Sequence, residues 1–340
     1  MELNRINIKK ENIKLITKDI KHDLPIFARE NYLKSKSNDY GWFITDDFIL
    51  PFTIDKKLIF RRLIFTTDTI YLNKNLTTLE EKEFLNAIVS YCKTNTICDS
   101  IFKAQSNAVF KTYPNNSEHV EWGTFELNIK GTSDELFSKY TSKTRNMVRK
   151  AIKTDVTVST TKDIEKVYEN IKNTFLRQNS LLYPSLEYLK TLQKNLDNNI
   201  EFFITEQNST IQGSAIIIYD NSRAYYIYGG SVPRPAAGSI NLLHYKIMQF
   251  FQEKNLEYYD FVGARTCIEA KSKFESLQKF KKSFGSTLRK GYAFRVIINP
   301  FKHKLFYFIV KSYFLLKRSS YIDPIDSIRK CIEQEHTNNS

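Results

Sequence analysis

Short apolar runs broken by charged pairs open the chain. Residues 41–44, 48–52, 58–60 and 63–65 are strand-length, and Asp46-Asp47 and Asp55-Lys56 stand where turns would fall. The period then changes. Leu85, Ile88, Val89 and Cys92 share one helical face behind a capping box, Thr77 with Glu80 three residues on, which predicts a helix over 78–92. Strand-like pieces return at 107–111 and 123–129. The first 130 residues thus predict a strand-rich region with few helices.

From there helices and strands alternate more legibly. Thr132 and Glu135 form a second capping box, and the helix it opens is expected to run to Lys153. Leu136, Tyr140, Thr144, Met147 and Ala151 lie along one stripe of it. Lys139, Lys143, Asn146, Lys150 and Lys153 lie along another, with Arg145 and Arg149 beside them. A strand at 156–159 and helices at 163–178 and 185–196 follow, Pro184 preceding the second helix. Three strands come in quick succession, 200–205, 211–219 and 223–228, and the breaks between them have hairpin length and composition. The chain continues with a Pro/Ala/Gly loop to Gly238, a helix over 239–254, a strand over 258–262, a helix over 272–283 and a strand over 292–298. A doubly wound nucleotide fold alternates strand and helix strictly. Three hairpin-linked strands between helical segments predict instead a mixed sheet with an antiparallel front half. The expected division is 1–130, 131–299 and 300–340.

Composition narrows the function classes. With 340 residues, 41% of them hydrophobic and including 25 Phe and 20 Tyr, the chain has material for a sizeable core. Its net charge of +14 suits either simple solubility or a polyanionic partner: a phosphorylated substrate, a nucleic acid or an anionic membrane surface. Cys92, Cys98, Cys267 and Cys331 form no CxxC pair, and the five histidines never fall at ligand spacing, so neither a metal site nor a disulfide framework is expected. The first sixteen residues lack the apolar core of a signal peptide, and no apolar run is long enough to span a bilayer, which points to a reducing, cytoplasmic setting. Residues 305–316 are apolar and aromatic, interrupted by Lys311 and Ser312 and flanked by Lys302, Lys304, Lys317 and Arg318. Such a helix fits either the surface of an anionic membrane, through residues 302–318, or packing on the fold or a second subunit. The last fifteen residues are expected to fray.

Four stretches carry a family resemblance. They are Gly123-Thr124-Phe125-Glu126-Leu127 with Arg145-Asn146-Met147-Val148-Arg149-Lys150-Ala151; Thr174-Phe175-Leu176-Arg177-Gln178-Asn179; Tyr226-Ile227-Tyr228-Gly229-Gly230-Ser231 with Tyr259-Asp260-Phe261-Val262-Gly263; and Phe280-Lys281-Lys282-Ser283-Phe284-Gly285. In this order and spacing, across about residues 120–295, they resemble the FemAB-like group of GNAT-fold (acyl-CoA N-acyltransferase) enzymes, which acylate or aminoacylate cell-envelope precursors. Asn179 stands where that group has Gly; Asn also tolerates positive φ. The resemblance implies an α/β GNAT fold, with residues 1–130 as a second, degenerate GNAT-like half.

It also implies roles. Lys281 and Phe280 would lie beside the acceptor and the reacting carbonyl, Lys281 as a point donor to negative charge. Arg177 would contact a substrate phosphate, Tyr226 and Tyr228 would line the groove, Arg145 and Arg149 would form a basic wall, and Asp260 would open a turn beside the site as an acidic candidate for proton transfer; Lys281, Tyr228 and Asp260 are the expected catalytic residues. Each has a structural alternative: Lys281, Arg145 and Arg149 as solvated helix faces, Arg177 as a helix-terminal charge, the tyrosines as half-buried edge positions, Asp260 as a turn former. No tightly bound cofactor is expected. Acyl-CoA, held at the helix start Ala237-Gly238-Ser239, or aminoacyl-tRNA would serve as co-substrate; Ala237 stands where the usual pyrophosphate loop has its first Gly. The expected acceptor is a phosphorylated or lipid-linked amino sugar or a peptidoglycan stem. The alternatives are an acyl-CoA-dependent N-acetyltransferase in surface-polysaccharide synthesis and a non-catalytic nucleic-acid-binding protein.

Overall fold

The computed structural model describes residues 13–16, 23–269, 272–319 and 321–338. Most of the N-terminal stretch read above for a leader lies outside them, as do the last two residues. The chain divides into two compact units: Met1–Gly123 with Arg265–Ile268 and Lys290–Ser340, and Thr124–Ala264 with Glu269–Arg289.

In the first unit Tyr40–Ile44, Phe48–Lys57 and Phe60–Phe65 pair antiparallel in sequence order. Lys14–Ile16 adds antiparallel to Tyr40–Ile44, and Ser100–Ile101 joins Phe60–Phe65 in parallel. Val296 and Ile297, near the end of the Thr287–Ile297 strand, pair with Ser100–Ile101. The Thr78–Thr94 helix starts at the predicted box: the Thr77 side chain accepts from the Glu80 amide while Glu80 accepts from the Thr77 amide. Its Phe84, Leu85, Ile88 and Cys92 bury against Phe43, Phe48, Phe65 and Phe294, and the Phe48 and Phe84 rings stack 5.1 Å apart.

The C-terminal residues complete this unit instead of standing apart as a tail. Pro324–Asn338 is a helix, not the frayed end expected from its polar composition. Two devices hold it. Arg295 donates to Asp326 at 2.6 Å and to the Tyr307 hydroxyl at 2.8 Å, and pairs with Glu118 and with fully buried Asp323. Cys267 and Cys331 form a disulfide, 2.09 Å between sulfurs. The expectation of unpaired cysteines is thereby corrected: the two lie 64 residues apart and have no local spacing that could announce them. Buried Lys103 lies 4.2 Å from the Trp122 ring and donates to the Ala104 carbonyl at 3.0 Å. Burial brings its pKa down to about 8, with Asp323 opposing the shift.

The second unit follows the predicted order. Its sheet runs Glu118–Asn128 (from Thr124 on), Tyr258–Asp260, Arg223–Ser231, Thr210–Tyr219, Ile200–Gln207 and Thr157–Thr160. The last four strands are antiparallel, three of them through hairpin links and Thr157–Thr160 through the two helices that separate it from Ile200–Gln207, and Tyr258–Asp260 is parallel to Arg223–Ser231. The helix expected over 132–153 is two helices, Ser133–Ser138 and Ser142–Lys153. Thr141 breaks it by capping a new start: its side chain accepts from the Thr144 amide, and its own amide donates to the Ser283 carbonyl at 2.9 Å. Tyr140, just before the break, is buried with its hydroxyl 3.1 Å from Met248 Sδ. Phe125, Leu127, Leu136, Ile217, Leu243, Ile247, Phe251 and Tyr259 form the core between sheet and helices.

Candidate active site

The site is built at the carboxyl ends of the two parallel strands. Arg223–Ser231 pairs with Tyr258–Asp260 through Arg223↔Tyr258, Ala224↔Tyr259 and Tyr225↔Asp260. There the partner strand stops, and among the described residues no strand pairs with that edge beyond Tyr225. Arg223–Ser231 runs on for six residues, roughly 20 Å of extended backbone, with one edge left unpaired by any described strand as far as Ser231, whose amide and carbonyl bond side chains of a helix. A splayed pair of this kind leaves a groove into which a ligand can add its own hydrogen bonds.

One side of the groove is the turn after Asp260. Val262 and Gly263 both have positive φ, 42° and 60°. Positive φ is unfavourable for a β-branched residue and must be held from outside. Asp260 and Lys281 hold it. The fully buried Asp260 carboxylate accepts from the Val262 amide at 2.8 Å and from the Thr124 hydroxyl, and lies 3.4 Å from an Arg223 nitrogen. Lys281, in the last turn of the Lys273–Lys282 helix, donates Nζ to the Val262 and Gly263 carbonyls, the second at 2.8 Å. It is 4% exposed, so the reading of Lys281 as a solvated face is overturned. Burial lowers its pKa to about 8 against the pull of Asp260, and burial raises that of Asp260 against its hydrogen bonds and Arg223. Asp260, expected as a catalytic acid candidate, spends its carboxylate on partners inside the fold: Thr124, the Val262 amide and Arg223.

The opposite rim is the end of the long strand. Thr174 and Arg177, on the Ile164–Arg177 helix, grip Ser231: the Thr174 hydroxyl donates to its carbonyl at 2.9 Å, the Ser231 amide donates back to that hydroxyl at 2.9 Å, and Arg177 reaches the carbonyl at 3.0 Å. Arg177 is otherwise exposed. Asn179 takes the positive φ, 53°, that the family's Gly would supply. Tyr226 and Tyr228 do not alternate simply. The register skips Ile227, passing from Ile216↔Tyr228 to Ile217↔Tyr226, a bulge that re-aims the side chains. The Tyr226 hydroxyl consequently lies over Gly229, where a Cβ would be 1.7 Å from it. Burial pushes the Tyr226 pKa up to about 12.

Sequence reading passed over the residue between these groups. His244, on the Ser239–Glu253 helix, is buried with Nδ1 3.0 Å from the Tyr259 hydroxyl. Tyr226, Phe280 and Phe284 pack edge-on or tilted against its ring at 4.7, 5.4 and 5.5 Å. Desolvation, helped by the Lys281 charge, drops its pKa to about 3, so the ring is neutral at any physiological pH. Phe280 thus reaches the site through His244. The signal was present in the sequence: His244 is six residues after Gly238 on the helix that starts at the groove.

Arg145 and Arg149, expected as a basic wall, are engaged at the break between the two short helices. Arg145 folds back to the Ser138 and Tyr140 carbonyls, and Arg149 bonds Asn146 and lies 5.2 Å from the Phe137 ring. Both brace the break between the two short helices.

At the start of the Ser239–Glu253 helix, Gly238 has φ 82° and backs onto Met147, whose carbonyl oxygen would be 2.0 Å from any Cβ there. The amide of Ser239 donates to Ala236, and Leu242 starts the helical ladder at Gly238. The amides of Ile240 and Asn241 are first-turn donors with no intrahelical partner, and the buried Ser239 hydroxyl has no partner among the described residues. An anion such as the CoA pyrophosphate would meet the amides of Ile240 and Asn241 at this helix start. Ala237 is exposed beside it.

Residues 138–273 match the family model described as acetyltransferase (GNAT) domain. The crystal structure of FemX superposes with a TM-score of 0.62 at 16% identity, covering 82% of this chain and 94% of that one. A tandem GNAT protein from the clavulanic acid biosynthesis pathway gives a TM-score of 0.48 at 7% identity, over 77% of this chain and 83% of that one. L-PGS from Bacillus licheniformis gives 0.46 at 11%, over 75% and 83%. A search of curated proteins by sequence finds no match. The GNAT fold expected from the element order is borne out, and with a GNAT acetyltransferase domain over residues 138–273 the chain is an acyltransferase. The non-catalytic nucleic-acid-binding alternative gives way to it.

Proposed function

We propose that this acyltransferase transfers an acyl or aminoacyl group to an amine of a phosphorylated cell-envelope precursor, such as a nucleotide- or lipid-linked amino sugar or a peptidoglycan stem. The observation that carries the reading is the open edge of Arg223–Ser231 beyond Tyr225, bounded by the turn that Lys281 braces and by Arg177. The acceptor nitrogen attacks the donor carbonyl carbon. A C–N bond forms, the donor C–S or C–O bond breaks, the leaving thiolate or alkoxide takes a proton, and the nitrogen releases one. Lys281 supplies a positive charge at the turn after Asp260, beside the groove, where charge develops on the carbonyl oxygen. Tyr228 lines the open stretch, and Arg177, exposed at the far rim, suits an acceptor phosphate. His244, neutral and buried, holds Tyr259 and Phe280 in place and carries no charge into the site.

Two donors fit. Acyl-CoA is the co-substrate of GNAT acyltransferases at large, and the free amides of Ile240 and Asn241 favour it. They would hold its phosphates while its thioester supplies the activated carbonyl. The likeness of the motifs to the FemAB-like group, with the +14 charge, favours aminoacyl-tRNA. The test offers the purified chain acetyl-CoA or a set of aminoacyl-tRNAs against a panel of nucleotide-linked amino sugars and muropeptides. Thiol release with N-acylated product assigns a CoA enzyme, and transfer of labelled amino acid assigns the tRNA-dependent one. Absence of product from both donor classes across the panel sinks the proposal.

A further inference from the structure

We infer that the first unit carries a membrane-docking surface, made by the outer face of the Pro300–Leu316 helix and the tip of the Phe48–Lys57/Phe60–Phe65 hairpin, that takes an anionic lipid bilayer. The helix turns its packing side inward: Phe306 meets the Phe60 ring at 5.4 Å, Phe314 meets Tyr321 at 5.4 Å, and Tyr307 reaches Arg295. Its outward side is apolar. Phe301, Phe308 and Leu315, seven residues apart and hence on one face, are 76%, 70% and 77% exposed, and Leu316 is 83% exposed. Only Phe314 of its seventeen residues is buried.

The hairpin tip supplies a second observation. Lys57 pairs with Phe60, so Leu58 and Ile59 form a two-residue turn, and Leu58 takes φ 53°. Gly, Asn or Asp fills such a position without penalty, and an apolar side chain there gains nothing from the fold. Yet Leu58 is 93% and Ile59 58% exposed. Lys302 ties the tip to the helix, donating to the Ile59 carbonyl at 3.0 Å. The exposed apolar side chains thus belong to one joined patch.

Charge chooses the occupant. Residues 300–318 carry Lys302, Lys304, Lys311, Lys317 and Arg318 and no acid. Lys57 flanks the hairpin tip, while Lys56 is paired with Asp39 at 2.7 Å and Lys302 with Asp99 at 3.1 Å, which leaves Lys57, Lys304, Lys311, Lys317 and Arg318 as the cations of this face. A second copy docked by two-fold symmetry on this face would set these cations against their own counterparts. Anionic headgroups would neutralise them while the acyl boundary takes the rings and leucines. No described helix is long and apolar enough to cross a membrane, so the contact lies in the interface.

The experiment is co-sedimentation of the full chain with vesicles of phosphatidylcholine alone and of phosphatidylcholine with phosphatidylglycerol. The expected result is pelleting with the anionic vesicles, weakened by added salt and at least about tenfold weaker for Phe308→Ser/Leu315→Ser. Leu58→Asn/Ile59→Ser should weaken it separately. Both variants change exposed side chains, and circular dichroism should be unaltered. No pelleting, or equal pelleting with neutral vesicles, overturns the inference. So does a dimer in sedimentation velocity that the same variants dissolve while vesicle binding is absent. Because the readout is lipid binding, it succeeds or fails independently of the acyl-transfer assay.

Discussion

Lys103 in the first unit and Lys281 in the second are alike by every local measure. Both are nearly fully buried, both donate to backbone carbonyls, and burial brings both pKa values to about 8 against the pull of a buried aspartate. They differ in what lies next to them. Lys103 sits against Trp122 in a packed region that also holds Arg295, Asp323 and the disulfide. Lys281 sits where two strands part company. A displaced pKa therefore marks a buried charge, and only the open backbone edge beside it marks a candidate for chemistry.

Four substitutions or titrations test that distinction, the largest effect first. Asp323→Ala removes the buried acid that faces both Arg295 and Lys103, and should cost about 3–5 kcal/mol of stability in denaturant unfolding. A smaller loss, under about 1 kcal/mol, would mean that Glu118 and Asp326 suffice. Lys281→Ala should lower turnover at least about 10²-fold, the scale of losing one oxyanion donor, whereas Lys103→Met should leave turnover per folded molecule unchanged. Near-wild-type rates for Lys281→Ala would make it a brace for the turn and nothing more. Arg177→Ala should raise the acceptor KM about tenfold with kcat little changed, as expected for lost ground-state phosphate binding; a fall in kcat alone would place Arg177 elsewhere. The weakest signature is in pH. A lysine with pKa about 8 when folded and about 10.4 when unfolded binds fewer protons folded across that interval, so stability rises with pH from 8 to 10. Lys103→Met should remove part of that rise and leave the alkaline fall in kcat/KM, centred near pH 8 as Lys281 loses its charge. A rate profile flat to pH 10 would separate Lys281's charge from catalysis.

The second unit was legible in the sequence because its elements announce themselves locally. Thr132/Glu135 caps a helix, Asp220-Asn221-Ser222 makes a hairpin, and Gly238 starts a helix. What escaped depends on distant partners. Thr141 is a cap only because Ser283 takes its amide, and the Arg145 guanidinium is spent on carbonyls of a break that the 3.6-residue period runs straight through. The bulge at Ile227 leaves the apolar pattern intact while turning Tyr226 toward His244. Asp260 is buried by Thr124 and Arg223, 136 and 37 residues away. In the first unit, the pairing of Cys267 with Cys331 and the grouping of Glu118 with Arg295 and Asp323 join segments that no window along the chain contains together.

The first unit is closed by a strand that comes late. Val296 and Ile297 supply the neighbour of Ser100–Ile101, so on a ribosome that sheet waits for some two hundred further residues, about 10–40 s at ordinary rates of synthesis. During that interval the second unit, nearly contiguous in sequence, gains all its own strands, the last being the start of the Thr287–Ile297 strand. The nascent chain thus finishes its candidate catalytic half first and holds a half-built aromatic sheet open until the return, a state in which chaperone dependence should be greatest.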